Sequence, residues 1–151
     1  MTLTAMDKFY SIIFGIIVVA AIGLQVGKYT QDKGKVIIGE TKIKVEIADT
    51  LEEIRNGLSN RESLDDDRGM LFVFAEPGEP AFWMKDMKFP IDIIWIQNDR
   101  VVDIAPNLPV VAGEFLSTYT PREPANYVLE VNAGFAAEHR IEVGDKVDIR
   151  F

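Results

Sequence analysis

The sequence predicts a mostly β protein with a minor helical share. The expected architecture is a single-domain β-sandwich or partly open β-barrel with one or two short helices, preceded by an N-terminal transmembrane helix. Three observations carry this expectation. Residues 41–47 alternate strictly, with Ile43, Val45 and Ile47 in one phase and Lys42, Lys44 and Glu46 in the other, the period of a half-buried strand. Further short runs of β-branched, aromatic and aliphatic residues recur to the end of the chain, separated by turn-forming residues, as in sandwiches and small barrels. Finally, residues 9–26 form an 18-residue run without a formal charge, 14 of them apolar.

Taken in chain order, residues 1–8 are a short tail in which Asp7 and Lys8 cancel. The apolar run follows, and residues 9–27 are expected to be the membrane anchor. As a helix, 18 residues rise about 27 Å, close to the hydrocarbon thickness of a bilayer. A buried core helix is the alternative, but apolar residues surround this helix on all sides. A cleaved signal peptide is a stronger rival. It fits less well because Lys8 is the only basic residue before the run and Ala21-Ile22-Gly23 is a poor small-x-small site. Lys28, Lys33 and Lys35 outnumber Lys8, which alone would keep the domain inside, yet long domains cross membranes largely regardless of flanking charge. Residues 28–35 read as a linker, and residues 36–151 as the β domain.

Within that domain, Thr50 and Glu53 fit a capping box, Leu51, Ile54 and Leu58 share a helix face, and Gly57 ends the turn. Strands are expected over residues 70–74, 81–85, 91–97, 100–104, 127–131 and 146–151, with Asn98-Asp99 as a tight hairpin turn. A short helix over residues 133–140 follows Asn132 as its cap.

Composition removes whole classes of chemistry. The 151 residues contain no cysteine and one histidine, so disulfides, thiolate metal sites, cysteine nucleophiles and a histidine cluster are excluded. A net charge of −8 argues against nucleic-acid binding, which needs a basic face. Asp65-Asp66-Asp67 lacks the ligand spacing of a calcium loop and reads as a solvated acidic turn. His139 reads as an exposed helix end, and Gly144-Asp145 as a turn. No cofactor and no metal are expected.

Five residues are the candidates for ligand binding. Asp92 interrupts the apolar run Ile91-Asp92-Ile93-Ile94-Trp95-Ile96, where an ionised carboxylate requires a cation or several donors. Arg61, Arg68 and Lys85 are the available cations, and loop amides are the structural alternative. In Phe82-Trp83-Met84-Lys85, Phe82 and Met84 share one face, which leaves Trp83 either to line a groove or to cap a barrel end. Glu130 could pair with Asp92 as the two carboxylates of a hydrolase or lyase. The leading expectation is a non-enzymatic domain that binds a small ligand or an envelope protein through Arg61, Trp83, Lys85, Asp92 and Glu130.

The motifs Asn56-Gly57-Leu58-Ser59-Asn60-Arg61, Arg68-Gly69-Met70-Leu71-Phe72-Val73-Phe74 and Phe82-Trp83-Met84-Lys85 occur in that order. They are followed by Pro90-Ile91-Asp92-Ile93-Ile94-Trp95-Ile96, Val128-Leu129-Glu130-Val131-Asn132-Ala133-Gly134 and Gly144-Asp145. Together they resemble the DUF192 family, also called UPF0127. Ser59 stands where that family usually has methionine, Met87 where threonine is common, and Asn132 where proline is frequent. The resemblance implies a compact, mostly β domain, often exported behind a signal or anchor, and no established activity. Together with the apolar run at 9–26, it leads to the expectation of a single-pass membrane protein with its C-terminal domain on the extracytoplasmic side.

Overall fold

A computed structural model describes residues 33–111 and 117–151. The described residues belong to one compact unit. The expected span at 9–27 lies outside the described residues, and among those no helix is long and apolar enough to cross a membrane.

Among the described residues, nine strands and two short helices follow the hydropathy pattern. Strands β1 (Gly34–Ile38) and β2 (Thr41–Ala48) form a hairpin, then comes helix α1 (Leu51–Asn56), and then β3 (Arg68–Gly78). Next are β4 (Phe82–Trp83), β5 (Ile91–Gln97), β6 (Arg100–Leu108), β7 (Thr118–Tyr119), β8 (Ala125–Asn132), helix α2 (Phe135–Glu138) and β9 (Val147–Arg150). The capping box at α1 is present in full. The Thr50 hydroxyl accepts from the Glu53 amide, the Glu53 carboxylate accepts from the Thr50 amide, and Gly57 ends the helix at φ +48°.

Seven strands make one sheet in the order β6-β5-β8-β3-β2-β1-β9, while β4 and β7 form a separate two-stranded ribbon. Among the described strands only the β2–β3 pair is parallel, and the crossover it requires consists of α1 and the loop over residues 57–67. The sheet curls into a half-barrel. Val101 of β6 and Val147 of β9, at opposite ends of the strand order, belong to the same buried cluster as Ile43, Val45, Leu71, Ile94 and Leu129. Backbone bonds also join the two edges. The Val101 amide donates to the Asp145 carbonyl, the Gly144 amide to the Val101 carbonyl, and the Val147 amide to the Asp99 carbonyl.

The curl is accentuated where β6 bulges against β5. Ile91 pairs with Leu108 and Ile93 with Ala105, so Pro106 and Asn107 together oppose Asp92. An extra residue of this kind bends a strand, and proline, which cannot donate to the ladder, is tolerated there. On the convex face, a second apolar cluster containing Leu58, Met70, Phe72, Phe82, Met84, Met87, Ile93 and Trp95 is covered by α1, its following loop and the β4–β7 ribbon. Both faces of β5 are thus buried, as its unbroken apolar run implies.

Several expectations need adjustment. Gly34 and Lys35, read as linker, already belong to β1 and pair with Val45 and Lys44. The strand expected over residues 81–85 shortens to Phe82–Trp83, and neither β1 nor β7 was expected. Helix α2 begins after Gly134 rather than Asn132. The Asn132 amide group instead donates to the Leu64 carbonyl.

Candidate functional site

Register decides which of the candidate residues can meet. Glu46, Met70, Glu130 and Ile93 are successive partners across β2, β3, β8 and β5, and directly paired residues point to the same face. Ile93 and Met70 belong to the convex-face cluster, so Glu130 faces outward with them. Asp92 pairs with Val131, which belongs to the inner cluster. The two carboxylates lie on opposite faces of the sheet, and the Asp92–Glu130 acid–base pair of the alternative hydrolase or lyase reading is not assembled.

Asp92 has a structural task. Its Oδ1 accepts from the amides of Asn107 and Gly134, and its Oδ2 from the amide of Ala136. The carboxylate thereby fixes the β6 bulge and supplies α2 with the N-terminal cap that Gly134 lacks a side chain to provide. Three amide donors satisfy a fully buried carboxylate without a cation, the loop-amide alternative of the sequence. Lys85 is also away from Glu130. It is exposed and pairs with Asp86 at 2.7 Å, and its carbonyl accepts from the Ser59 hydroxyl.

Glu130 lies at the floor of a cavity of about 650 Å3. Helix α1 and the turn after it contribute Leu51, Ile54, Gly57 and Leu58, β3 contributes Phe72 and Phe74, and the β4 region Phe82, Trp83 and Met87. Phe72 and Phe82 meet edge to face with centroids 4.8 Å apart. Gly57 keeps the floor open. A Cβ there would lie 3.3 Å from the Phe72 ring and 3.7 Å from Glu130 Oε2. Close packing of the sheet beneath depends on Gly69, where a Cβ would come within 2.8 Å of the Glu130 carbonyl oxygen.

The environment of Glu130 is unusual for an acid. The residue is 4% exposed, and its Oε2 has no hydrogen-bond partner. Burial penalises the ionised form and pushes its pKa up to about 8, with the nearby Arg61 charge partly offsetting the rise. Arg61 is itself engaged: its two terminal nitrogens donate to the two Glu46 oxygens at 2.6 and 2.8 Å. Because Arg61 spends much of its charge on that bidentate, half-buried pair, desolvation outweighs it at Glu130.

The structure therefore brings Trp83 and Glu130 into one cavity, places Arg61 within electrostatic reach, and leaves Asp92 and Lys85 elsewhere. Trp83 is 48% exposed and lines the mouth, the groove position rather than the barrel-end cap. The residues missed by sequence reasoning are Gly57, Phe72, Phe74 and Met87. The Gly after a capped helix was a visible signal for the first, whereas the others look like ordinary core. Asp66 and Asp67 remain surface residues, and Asp67 pairs with Lys44 at 2.6 Å. Among the described residues, no three His, Cys, Asp or Glu side chains converge to hold a metal ion.

Fold and site define a half-barrel β domain with an aromatic, acid-floored cavity on its convex face. The chain belongs to the DUF192 family (Uncharacterized ACR, COG1430), whose model matches residues 34–149. It is similar to a protein of unknown function from Novosphingobium aromaticivorans DSM 12444, with 36% identity and a TM-score of 0.66 over 76% of this chain and 83% of that one. It is also similar to a protein from Sinorhizobium meliloti 1021 described as a candidate transcription regulator, with 30% identity and a TM-score of 0.68 over 76% of this chain and 92% of that one. No curated protein matches.

Proposed function

We propose that this chain is a membrane-anchored module whose extracytoplasmic domain binds a small molecule in the cavity floored by Glu130. The observation that carries the reading is the convergence of a buried, unpartnered carboxyl oxygen with a largely apolar, aromatic lining. A cavity of about 650 Å3 lies within the size range of small-ligand sites, which combine an apolar lining with a few placed polar groups. Trp83 offers its ring to the ligand at the mouth, Glu130 provides the polar contact at the floor, and Arg61 sets the electrostatics of that contact. The uncharged run at 9–26 supports anchoring, and the family resemblance supports the extracytoplasmic side.

Methyl NMR of the full-length chain with a fragment set of mixed charge tests the binding. Shifts should concentrate at Leu58 and Met87, and Trp83→Ala should weaken the best fragment about tenfold, in line with the loss of one aromatic contact. A set that moves neither methyl sinks the reading. Membrane fractionation with protease protection of a C-terminally tagged chain tests the anchor, and recovery of the intact chain in the soluble fraction would refute it. One observation favours a second reading. Leu51 is 88% exposed beside Trp83 at the mouth, so a side chain of an envelope protein could enter the same cavity. A DNA-directed role, suggested by the description of the Sinorhizobium protein, conflicts with the net charge of −8.

A further inference from the structure

The charges around Glu130 narrow the chemistry of its ligand; this step rests on the reading that the cavity binds a small molecule. Each element packed against the carboxyl contributes a limited set. Below it, β3 presents Met70 and Phe72 and β5 presents Ile93, all apolar. Beyond them, Glu46 of β2 neutralises Arg61 through the bidentate pair. Helix α1 contributes Glu52 and Arg55 to the lining, one charge of each sign. Among the described residues, Glu130 is the buried acid of the lining; its neighbouring cation Arg61 is already bonded to Glu46, and its Oε2 has no hydrogen-bond partner.

A ligand that completes this site must supply a donor to Oε2 and tolerate aromatic faces. An anion would meet a carboxyl that is neutral or negative but never positive, and is disfavoured beside it. A neutral hydroxyl would satisfy the oxygen but gain little from the rings. An organic ammonium gains from both, because its N–H donates to the carboxylate and its charge is attracted to the electron-rich faces of Phe72, Phe74, Phe82 and Trp83. The net charge of −8 favours the approach of a cation from solution.

We infer that the cavity is a site for a small organic ammonium bearing an apolar or aromatic body, whose nitrogen pairs with Glu130 beneath the Trp83 ring. Binding then carries a proton balance. Where the carboxyl is protonated it gives its proton to solvent as the ammonium enters, and the carboxylate–ammonium pair so formed is neutral overall. The body of the ligand fills the space between α1 and β4 that Gly57 leaves open.

Full-length chain labelled at the Leu58 and Met87 methyls would be titrated by NMR with phenethylammonium, its neutral isostere 2-phenylethanol, and phenylacetate. The titrations would run from pH 6 to pH 9, where the ammonium stays charged. At pH 8 phenethylammonium should bind at least ten times more tightly than 2-phenylethanol, and phenylacetate should bind weakest. Because Glu130 loses its proton near pH 8, ammonium affinity should rise about tenfold per pH unit from pH 6 and level off above that point. Glu130→Gln should abolish both the preference and the slope. An alcohol that binds as well as the ammonium, or a slope that persists in Glu130→Gln, overturns the cation assignment while leaving small-molecule binding intact. Silence from all three probes also overturns it, and the mixed-charge fragment set then decides separately whether the cavity binds anything. If Glu130→Gln fails to fold, the pH profile of the unmodified chain decides the question alone.

Discussion

At the scale of single residues, Glu130 holds its proton more tightly in the folded chain than in the unfolded one. Its contribution to stability is therefore neutral below about pH 4.5 and becomes increasingly unfavourable as the pH climbs toward about 8. At pH 7 the cost is on the order of 3 kcal/mol. Glu130→Gln cannot lose a proton, so its urea-denaturation stability relative to the parent should improve by about that amount between pH 5 and pH 7. Parallel pH profiles for the two proteins would refute this. Arg61→Ala should act in two ways. Removing the cation that draws the Glu130 pKa down raises it further, which a carboxyl-carbon NMR titration would register. Stranding Glu46 should cost about 2 kcal/mol, less than a fully buried pair because both partners keep some contact with water. The sequence marked Asp92 and Glu130 alike as acids in apolar strands. It could not separate their roles, because the donors to Asp92 come from residues 107, 134 and 136, while the walls around Glu130 come from other elements.

At the scale of elements, one carboxylate couples three of them. Asp92 on β5 holds the bulge of β6 and the start of α2, so Asp92→Ala leaves three amides without their charged acceptor. A loss of at least about 3 kcal/mol is expected in urea denaturation, with a smaller loss for Asp92→Asn, which keeps an acceptor oxygen. A loss under 1 kcal/mol would show that water replaces the carboxylate. The elements legible in the sequence were those with a strong local signature. Strand β2 alternates, α1 carries a complete capping box, and the turn between β5 and β6 contains Asn98 at φ +54°. Strand β1 was missed because Gly34 and Lys35 look like tether and Val36-Ile37-Ile38 is apolar without alternation. Strand β7 is two residues long, too short to establish any period. The helix start was misplaced by two residues because its cap arrives from β5, beyond any local window.

At the scale of the whole molecule, the curl and the cavity are one design. A strongly curved sheet buries its concave face against itself, which leaves the convex face to be covered by α1 and the ribbon, and the cavity is the space beneath that cover. The seam between β6 and β9 completes the curl. Gly144 sits there at φ +99°, and a Cβ would meet nothing within 4 Å. Gly144→Ala should thus cost about 1–2 kcal/mol from backbone conformation alone, with faster hydrogen exchange at the Val101 amide; unchanged exchange would refute the role of the turn in closing the seam. The pairing of β1 with β9 sets a timetable for synthesis. Lys35 lies opposite Arg150, 115 residues later in the chain, and a ribosome adding about 5–20 residues per second leaves β1 without that neighbour for roughly ten seconds. Non-local sheets of this kind fold slowly in any case. Until the last strand is released, the nascent domain remains without its final latch, and β1 presents an unpaired edge to whatever it meets first.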